Sequence, residues 1–272
     1  SFCSPAMLKA ANSLRWLHSY TVGVEQCTLL PDIGQHKFIL TNSQRTSGPT
    51  IAEHVIALMM ALTRGLHYHH RNQLEANWDR SIPADAPMFD VEGKTMLVAG
   101  LGGIGSEVAQ RAAGLGMRVI ATRRSGGDSP GFVEYVGQPD ELLELAARAD
   151  VVVNALPLTH ETHNLFDRAF FDAVKPGAYF ISVGRGKSTV TSELVAALKD
   201  GRLRAAGLDV TDPEPLPRNH ELWRLPNVII TPHISSQTVE ARQRMAAVAI
   251  ENVRRYVAGE KLLSVVDLKA GY

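Results

Sequence analysis

Cysteine is almost missing from this chain. Cys3 and Cys27 are the only two in 272 residues, too few for a disulfide framework or a thiolate metal cluster, so a reducing compartment is expected. Net charge is missing as well. Lysine plus arginine and aspartate plus glutamate both total 28, which leaves no basic surplus to draw nucleic acid or an anionic membrane surface. Long apolar runs are absent, because glycine, arginine or histidine breaks each one within a few turns, and no membrane span is expected. The opening SFCSPAMLKAANSLRW lacks the basic start, apolar middle and small-residue cleavage site of a signal peptide. A cytoplasmic location is therefore expected. Metal motifs are scarce too. HYHH places His67, His69 and His70 on a helix without a nearby acid or cysteine, and AEHV is not HExxH, so no metal is expected.

What remains is the composition of a globular protein, 45% hydrophobic and 21% charged, with no internal repeat. Pro5 to Ser19 reads as a short helix running into a strand, and KFILTN as a second short strand. TIAEHVIALMMALTRGL repeats apolar residues at three and four, so apolar throughout that it reads as a helix buried on most sides. A more polar helix, HYHHRNQLEANWD, leads into SIPADAPMFD, the best domain boundary in the sequence. Beyond it, short apolar strands (TMLVAG, MRVIAT, VVVNALP, AYFISVG, AAGLDV, NVIITPH) alternate with helices. GFVEYV is a strand or a loop, and PDELLELAARAD is a helix opened by proline and acids. That alternation predicts a parallel sheet covered on both faces. TVEARQRMAAVAIENVRRYVAGE closes the chain as a long amphipathic helix before a short tail.

AGLGGIG follows the first of these strands and opens a helix. In a dinucleotide site Gly100 would allow the sharp turn, Gly102 the approach of pyrophosphate to backbone, and Gly105 close packing of helix on strand. Gly103 and Ile104 belong to the same turn. The pyrophosphate would meet unpaired amides at the helix start. An NAD site then wants an acid on the adenosine ribose, but eighteen residues beyond Gly105 stands Arg123, followed by Arg124 and Ser125. No acid occurs between Glu107 and Asp128. A guanidinium fork suits a 2′-phosphate. The arginines otherwise simply cap an exposed strand end. NADP(H) is the sharper expectation, with NAD(H) the alternative.

Polar residues also gather at the carboxyl ends of later strands, where open parallel sheets place ligands. ISVGRG carries Arg185, AAGLDVTDPEPLP carries Asp209 and Glu214, and IITPHISS carries His233. Each has a plainer reading as an exposed or turn residue. Converging on one crevice, they are the types that reduction of a 2-oxo acid requires. An arginine clamps the carboxylate, and a histidine gives the carbonyl oxygen its proton as hydride arrives. A neighbouring carboxylate orients that histidine and favours its charged form.

TNSQRTSGPTIAEHVIALMMALTR, AGLGGIG, NALPLTHETHNLFD, SVGRGKSTV, GLDVTDPEPLP, LW and NVIITPH together resemble the D-isomer-specific 2-hydroxyacid dehydrogenases, the group containing glyoxylate/hydroxypyruvate reductase and phosphoglycerate dehydrogenase. The resemblance covers nearly the whole chain. It implies an α/β protein: a Rossmann-type doubly wound parallel sheet as coenzyme domain, plus a smaller flavodoxin-like α/β substrate domain. The substrate domain would comprise residues 1–72 and 258–272, and the coenzyme domain residues 73–257. It implies that Arg185 holds and polarises the substrate, that Glu214 hydrogen-bonds His233, and that His233 is the acid–base group. Asp209 would lie near the nicotinamide carboxamide. Leu156, Pro157, Thr162, Val183 and Gly184 would line the coenzyme together with the glycine turn, Arg123, Arg124, Ser125 and His233. Val22 and Gly23, in SYTVGVE, would present backbone amides to the substrate carboxylate. A homodimer through the coenzyme domain is implied as well.

The sequence departs from the family pattern in places. KSTV replaces two apolar residues and an acid after the catalytic arginine, and GVE replaces the usual GVD. Tyr20 and Thr21 occupy the substrate loop, and the strand–helix–strand portion that normally precedes LRWLHS is not in this sequence, so the substrate domain is expected to be incomplete at its N-terminus. The expected activity is NADPH-dependent reduction of a small 2-oxo acid such as glyoxylate or hydroxypyruvate to its D-2-hydroxy acid. The alternatives are an NAD-linked enzyme for a bulkier acid, or a non-catalytic nucleotide-sensing or corepressor protein on the same scaffold.

Overall fold

A computed structural model describes residues 3–11, 13–30, 33–82, 88–125, 129–268 and 270–271. Its helices and strands run, in chain order, α1 (Pro5–Ala10), β1 (Trp16–His18), α2 (Glu25–Thr28), β2 (Ile39–Thr41), α3 (Gly48–Thr63), α4 (Leu66–Leu74), β3 (Thr95–Ala99) and α5 (Gly103–Gly114). They continue with β4 (Arg118–Thr122), β5 (Tyr135–Gly137), α6 (Leu142–Ala146), β6 (Val151–Asn154), α7 (Arg168–Ala173) and β7 (Ala178–Ser182). The last are α8 (Thr191–Lys199), β8 (Leu203–Leu208), β9 (Val228–Ile230) and α9 (Val239–Ala258).

Seven strands form one sheet in the order β5-β4-β3-β6-β7-β8-β9, every pairing parallel. The order reverses between β3 and β6, which opens a crevice at their carboxyl ends. Each central strand is buried on both faces, and alternation along it feeds two separate cores. Met96, Val98, Val151, Val153, Tyr179 and Ile181 meet α3 and α5 on one side. Leu97, Val152, Phe180, Ala206 and Leu208 meet α6, α7 and α8 on the other, around the fully buried Phe166, Phe170 and Phe180. This is the doubly wound α/β fold expected from the apolar strand runs.

A smaller unit holds β1 and β2, paired in parallel, over a third core of Cys3, Leu8, Val24, Cys27, Ile33, Phe38, Leu40 and Val266. The C-terminal tail returns to it, with the Val266 amide donating to the Leu40 carbonyl at 2.9 Å. The helix α3 connects the two units. Its N-terminal region leaves β2, while Ile51, Val55, Leu58, Met59 and Leu62 are buried in the core of the large sheet.

Several local expectations are corrected. Cys3 and Cys27 form a disulfide, with Cα atoms 5.3 Å apart. Their sequence separation gave no sign of this; the small core they share with Leu8 and Val24 brings them together. The polar helix after α3 stops at Leu74 rather than running to Asp79. GFVEYV is strand only over its end, in β5. PDELLELAARAD divides into a 3-10 turn, Pro139–Glu141, and the short α6; the turn is fixed by a capping box between Gln138 and Glu141. The linker SIPADAPMFD is described only at its ends, since residues 83–87 lie outside the described residues. The helix α9 is capped at its start by Thr238, whose side chain accepts from the Ala241 amide, and ends at Gly259 with φ 70°. Among the described residues no helix is long and apolar enough to cross a membrane.

Candidate active site

The glycine turn sits at the switch point. Gly100 has φ 96°, and a methyl group on it would lie 2.9 Å from Leu156 Cδ2, so the turn after β3 touches the loop after β6. A methyl on Gly105 would lie 2.0 Å from the Gly100 carbonyl oxygen, which makes glycine obligatory for packing α5 onto the turn. Gly102 is the N-cap of α5, and a Cβ there would meet nothing within 4 Å. An open approach to a helix start, bounded by a tight turn, fits a pyrophosphate. Gly103 and Ile104 form the first turn of that helix.

Arg123 follows β4 half-buried, its amide donating to the Gly137 carbonyl at 3.0 Å, while Arg124 and Ser125 are exposed. None of the residues Arg123 to Ser125 at the strand end is acidic, and Arg124, with a hydrogen bond from Thr159 as the larger cause, helps to hold the Glu161 carboxyl below its ordinary value. Thr162 braces the loop after β6 by donating to the Pro157 carbonyl at 2.6 Å, which leaves Leu156 and Pro157 half-buried at the crevice. The residues present therefore fit a dinucleotide, and the basic strand end fits one bearing a 2′-phosphate.

The GRG turn after β7 is set by two close approaches. A methyl on Gly184 would lie 2.6 Å from the Leu156 carbonyl oxygen, and one on Gly186 would lie 1.8 Å from that of Thr211. Between them Arg185 leaves the buried Val183 and reaches toward the small unit. Its Nε donates to Glu25 Oε1 at 2.8 Å, and its Nη1 donates to the Gly184 carbonyl at 2.7 Å. The loop expected to receive a carboxylate lies directly against it, for a methyl on Gly23 would fall 1.7 Å from Arg185 Nη2. That loop is braced from behind. Asn42 donates to the Val22 carbonyl at 2.7 Å and Thr21 to the Gly23 carbonyl at 3.0 Å. Among the described residues the Val22 and Gly23 amides donate to nothing.

His233 and Glu214 meet as expected, with His233 Nδ1 donating to Glu214 Oε1 at 2.7 Å. That contact leaves Nε2 to face a reactant. Both side chains are open to solvent, at 41% and 43% exposure, so the dyad is accessible. His233 takes φ 55°, a left-handed conformation, and its amide donates to the Asp209 carbonyl at 2.8 Å. Asp209 is buried, and its carboxylate accepts from Thr231 Oγ1 (2.6 Å), the Ile234 amide (2.9 Å) and the Ser235 amide (3.0 Å). Burial alone would push its carboxyl up, but these hydrogen bonds prevail and hold it below its usual value. Asp209 thus staples the turn that presents His233.

Two participants escaped the sequence reading. His54 of AEHV hydrogen-bonds Thr231 Oγ1 at 2.9 Å and lies 3.7 Å from Asp209 Oδ1, tying α3 to the same turn. Glu25, read only as a mild replacement of aspartate, is the partner of Arg185. Burial pushes its carboxyl up, yet the charge and hydrogen bonds of Arg185, with a contribution from His233, hold it below the ordinary value. Arg185 follows β7 and His233 follows β9 of the same parallel sheet, so the arginine pair and the histidine dyad stand at one edge of it. The three histidines of HYHH belong to no metal cluster among the described residues.

Residues 56–235 match the family model described as D-isomer specific 2-hydroxyacid dehydrogenase, NAD binding domain. The chain is 36% identical over 250 residues to a glyoxylate/hydroxypyruvate reductase B of Klebsiella pneumoniae, covering 91% of this chain and 76% of that protein. A glyoxylate reductase of Pyrococcus furiosus is 34% identical over 257 residues, covering 92% of this chain and 75% of its own. Among solved structures, an NADPH-dependent glyoxylate/hydroxypyruvate reductase of Sinorhizobium meliloti, in complex with NADP and sulfate, superposes with a TM-score of 0.86 at 27% identity, covering 99% of this chain and 84% of that one.

Proposed function

The chain belongs to the D-isomer specific 2-hydroxyacid dehydrogenase family, and from that premise we propose that it reduces a small 2-oxo acid, of the glyoxylate or hydroxypyruvate kind, with NADPH. One observation carries this reading: the turn after β7 seats Arg185 on the Gly23 peptide, and the segments after β8 and β9 present the His233–Glu214 dyad at the same edge of the parallel sheet. Bound NADPH would supply the hydride. Its pyrophosphate would rest on the turn Gly100–Gly105, its 2′-phosphate at Arg123, Arg124 and Ser125, and its adenosine side along Leu156 and Pro157. Val183, Gly184 and Asp209 would shape the nicotinamide end.

The substrate carboxylate is received by the Val22 and Gly23 amides and by Arg185. Arg185 also stabilises the negative charge that develops on the carbonyl oxygen. Nε2 of His233 delivers the proton to that oxygen, while Glu214 holds the ring through Nδ1. In the oxidative direction the neutral ring takes the proton back.

The homodimer belongs to the same proposal. Leu74, Trp78 and Ile82 are exposed, Trp78 at 92%, and these apolar side chains of the coenzyme domain would be covered by a second copy.

The decisive experiment follows NADPH and NADH oxidation at 340 nm against a panel of 2-oxo acids. The expectation is turnover with glyoxylate and hydroxypyruvate and a preference for NADPH that Arg123→Asp reduces. A wild-type preference for NADH would overturn the 2′-phosphate assignment alone. No turnover with any acid would favour a nucleotide-sensing role. His233→Ala is expected to lower kcat by about a hundredfold or more while NADPH binding, read by fluorescence, stays near wild type. Near-normal turnover would remove His233 from the proton-transfer role.

A further inference from the structure

We propose that Glu25 is a positioning residue for the reaction: it splints Arg185 by one edge, so that one N–H on each terminal nitrogen remains as a fork for the substrate. The proposal rests on the reading of Arg185 as the substrate-holding group. A guanidinium has five N–H donors. Nε is used by Glu25 Oε1 at 2.8 Å, one Nη2 hydrogen points at Glu25 Oε2 at 3.5 Å, and one Nη1 hydrogen is used by the Gly184 carbonyl at 2.7 Å. Two hydrogens are left, one on Nη1 and one on Nη2. That pair is what a bidentate contact with an oxyanion needs.

Glu25 can act as a splint because its own backbone is fixed. It opens α2, and Cys27, two residues on, is fully buried and bonded to Cys3. Two residues before it, Gly23 leaves room for Nη2 to lie on the peptide, where any side chain would collide. The guanidinium is therefore confined by a peptide below, a carboxylate on one edge and its own turn's carbonyl on another. An arginine without those contacts carries large rotamer freedom, which must be given up each time substrate binds.

The pair also joins the two units, since α2 belongs to the small core and Arg185 to the turn after β7. The fork is therefore set when the cleft has the width seen here. Glu25 has an electrostatic consequence too. Its charge offsets that of Arg185, so a free anion gains less from the cleft than it would from a lone arginine. Selection then falls on anions whose carbonyl also reaches His233 Nε2.

The test is a set of variants assayed with NADPH and glyoxylate, with NADPH affinity and circular dichroism as checks on folding. Glu25→Ala removes both acceptor and charge, and is expected to lower kcat by about tenfold or more and raise KM. Glu25→Gln keeps an acceptor for Nε and loses the charge. It is expected to recover at least about five times the E25A kcat, with KM about threefold below wild type because the repulsion is gone. In an Arg185→Ala background, Glu25→Ala should have little further effect, the signature of two residues acting as one. An E25A kcat within twofold of wild type, equal losses in E25Q and E25A, or full additivity with Arg185→Ala would each overturn the proposal. If Arg185→Ala alone turned over like wild type, the reading of Arg185 would fail, and the splint with it. If the E25 variants misfold, Gly23→Ala, which displaces Nη2 from the other side, should reproduce the kcat loss.

Discussion

At the scale of single residues, the site depends on acceptors that keep donors pointed at a cleft. Asp209 shows this most clearly, because each hydrogen bond its carboxylate accepts comes from the turn around His233. Asp209→Asn would set an amide hydrogen against the Ile234 or Ser235 amide. The expected result is a loss of about 1–3 kcal/mol in stability and a fall in kcat, with KM for the 2-oxo acid changing less. Thermal melts and steady-state kinetics on one preparation check both halves, and an unchanged melt with unchanged kcat would refute the staple. Of these residues, Arg185, Glu214 and His233 were legible in sequence because chemistry and motif spacing single them out. Glu25 and His54 were not. Their roles are defined by partners 160 and 177 positions away, and no local pattern encodes such distances.

Among elements, the strands of the large sheet were each located by their apolar runs, but VVVNALP and NVIITPH ran past the ends of β6 and β9, AAGLDV began two residues late for β8, and only the end of GFVEYV is strand. Short helices were read too long. The helix α6 occupies only Leu142–Ala146 because the capped 3-10 turn takes up its first residues, and α4 stops at Leu74 although a polar helical composition continues. The turn after β7 carries the sharpest expectation at this scale. With a Gly186 methyl directed 1.8 Å from the Thr211 carbonyl oxygen, Gly186→Ala must shift that turn. Displacing Arg185 by about an ångström is expected to cost about a hundredfold in kcat. NADPH binding should change far less, because α5 and its glycines are untouched. Fluorescence titration beside kinetics separates the two, and full activity in G186A would show that the turn tolerates the shift.

Over the whole molecule, the contact between Glu25 and Arg185 ties the small core to the large sheet, and its acid dependence has a definite sign. Glu25 has a folded-state carboxyl below its ordinary value of 4.5. Its contribution is therefore complete above that ordinary value and is lost as pH falls through the lowered one. Between about pH 7 and pH 5 the melting difference between wild type and Glu25→Gln should stay constant; below about pH 4 it should shrink toward zero. A difference that vanished near neutrality would contradict the ion pair. The disulfide was the feature of this scale least visible in the sequence. Two cysteines 24 positions apart have no pattern to offer, and only the small core they share pairs them.

The arrangement of loop and sheet bears on how such an enzyme can change. The proposed proton donor, its orienting acid and the coenzyme turn all lie along one rim of the large sheet, whereas Tyr20 and Thr21 project from the small unit and are exposed. Thr21 braces the Gly23 carbonyl, whereas the Tyr20 hydroxyl donates only to the Arg242 carbonyl, so an exchange at Tyr20 is expected to alter the mouth of the site without disturbing the chemistry behind it. Gly23 and Glu25, a few positions on, have no such licence, for they touch Arg185 directly. A library aimed at new substrates should therefore vary position 20 and leave 21, 23 and 25 alone. Inheritance and design face the same short boundary, one turn of backbone wide, between the part that chooses and the part that reacts.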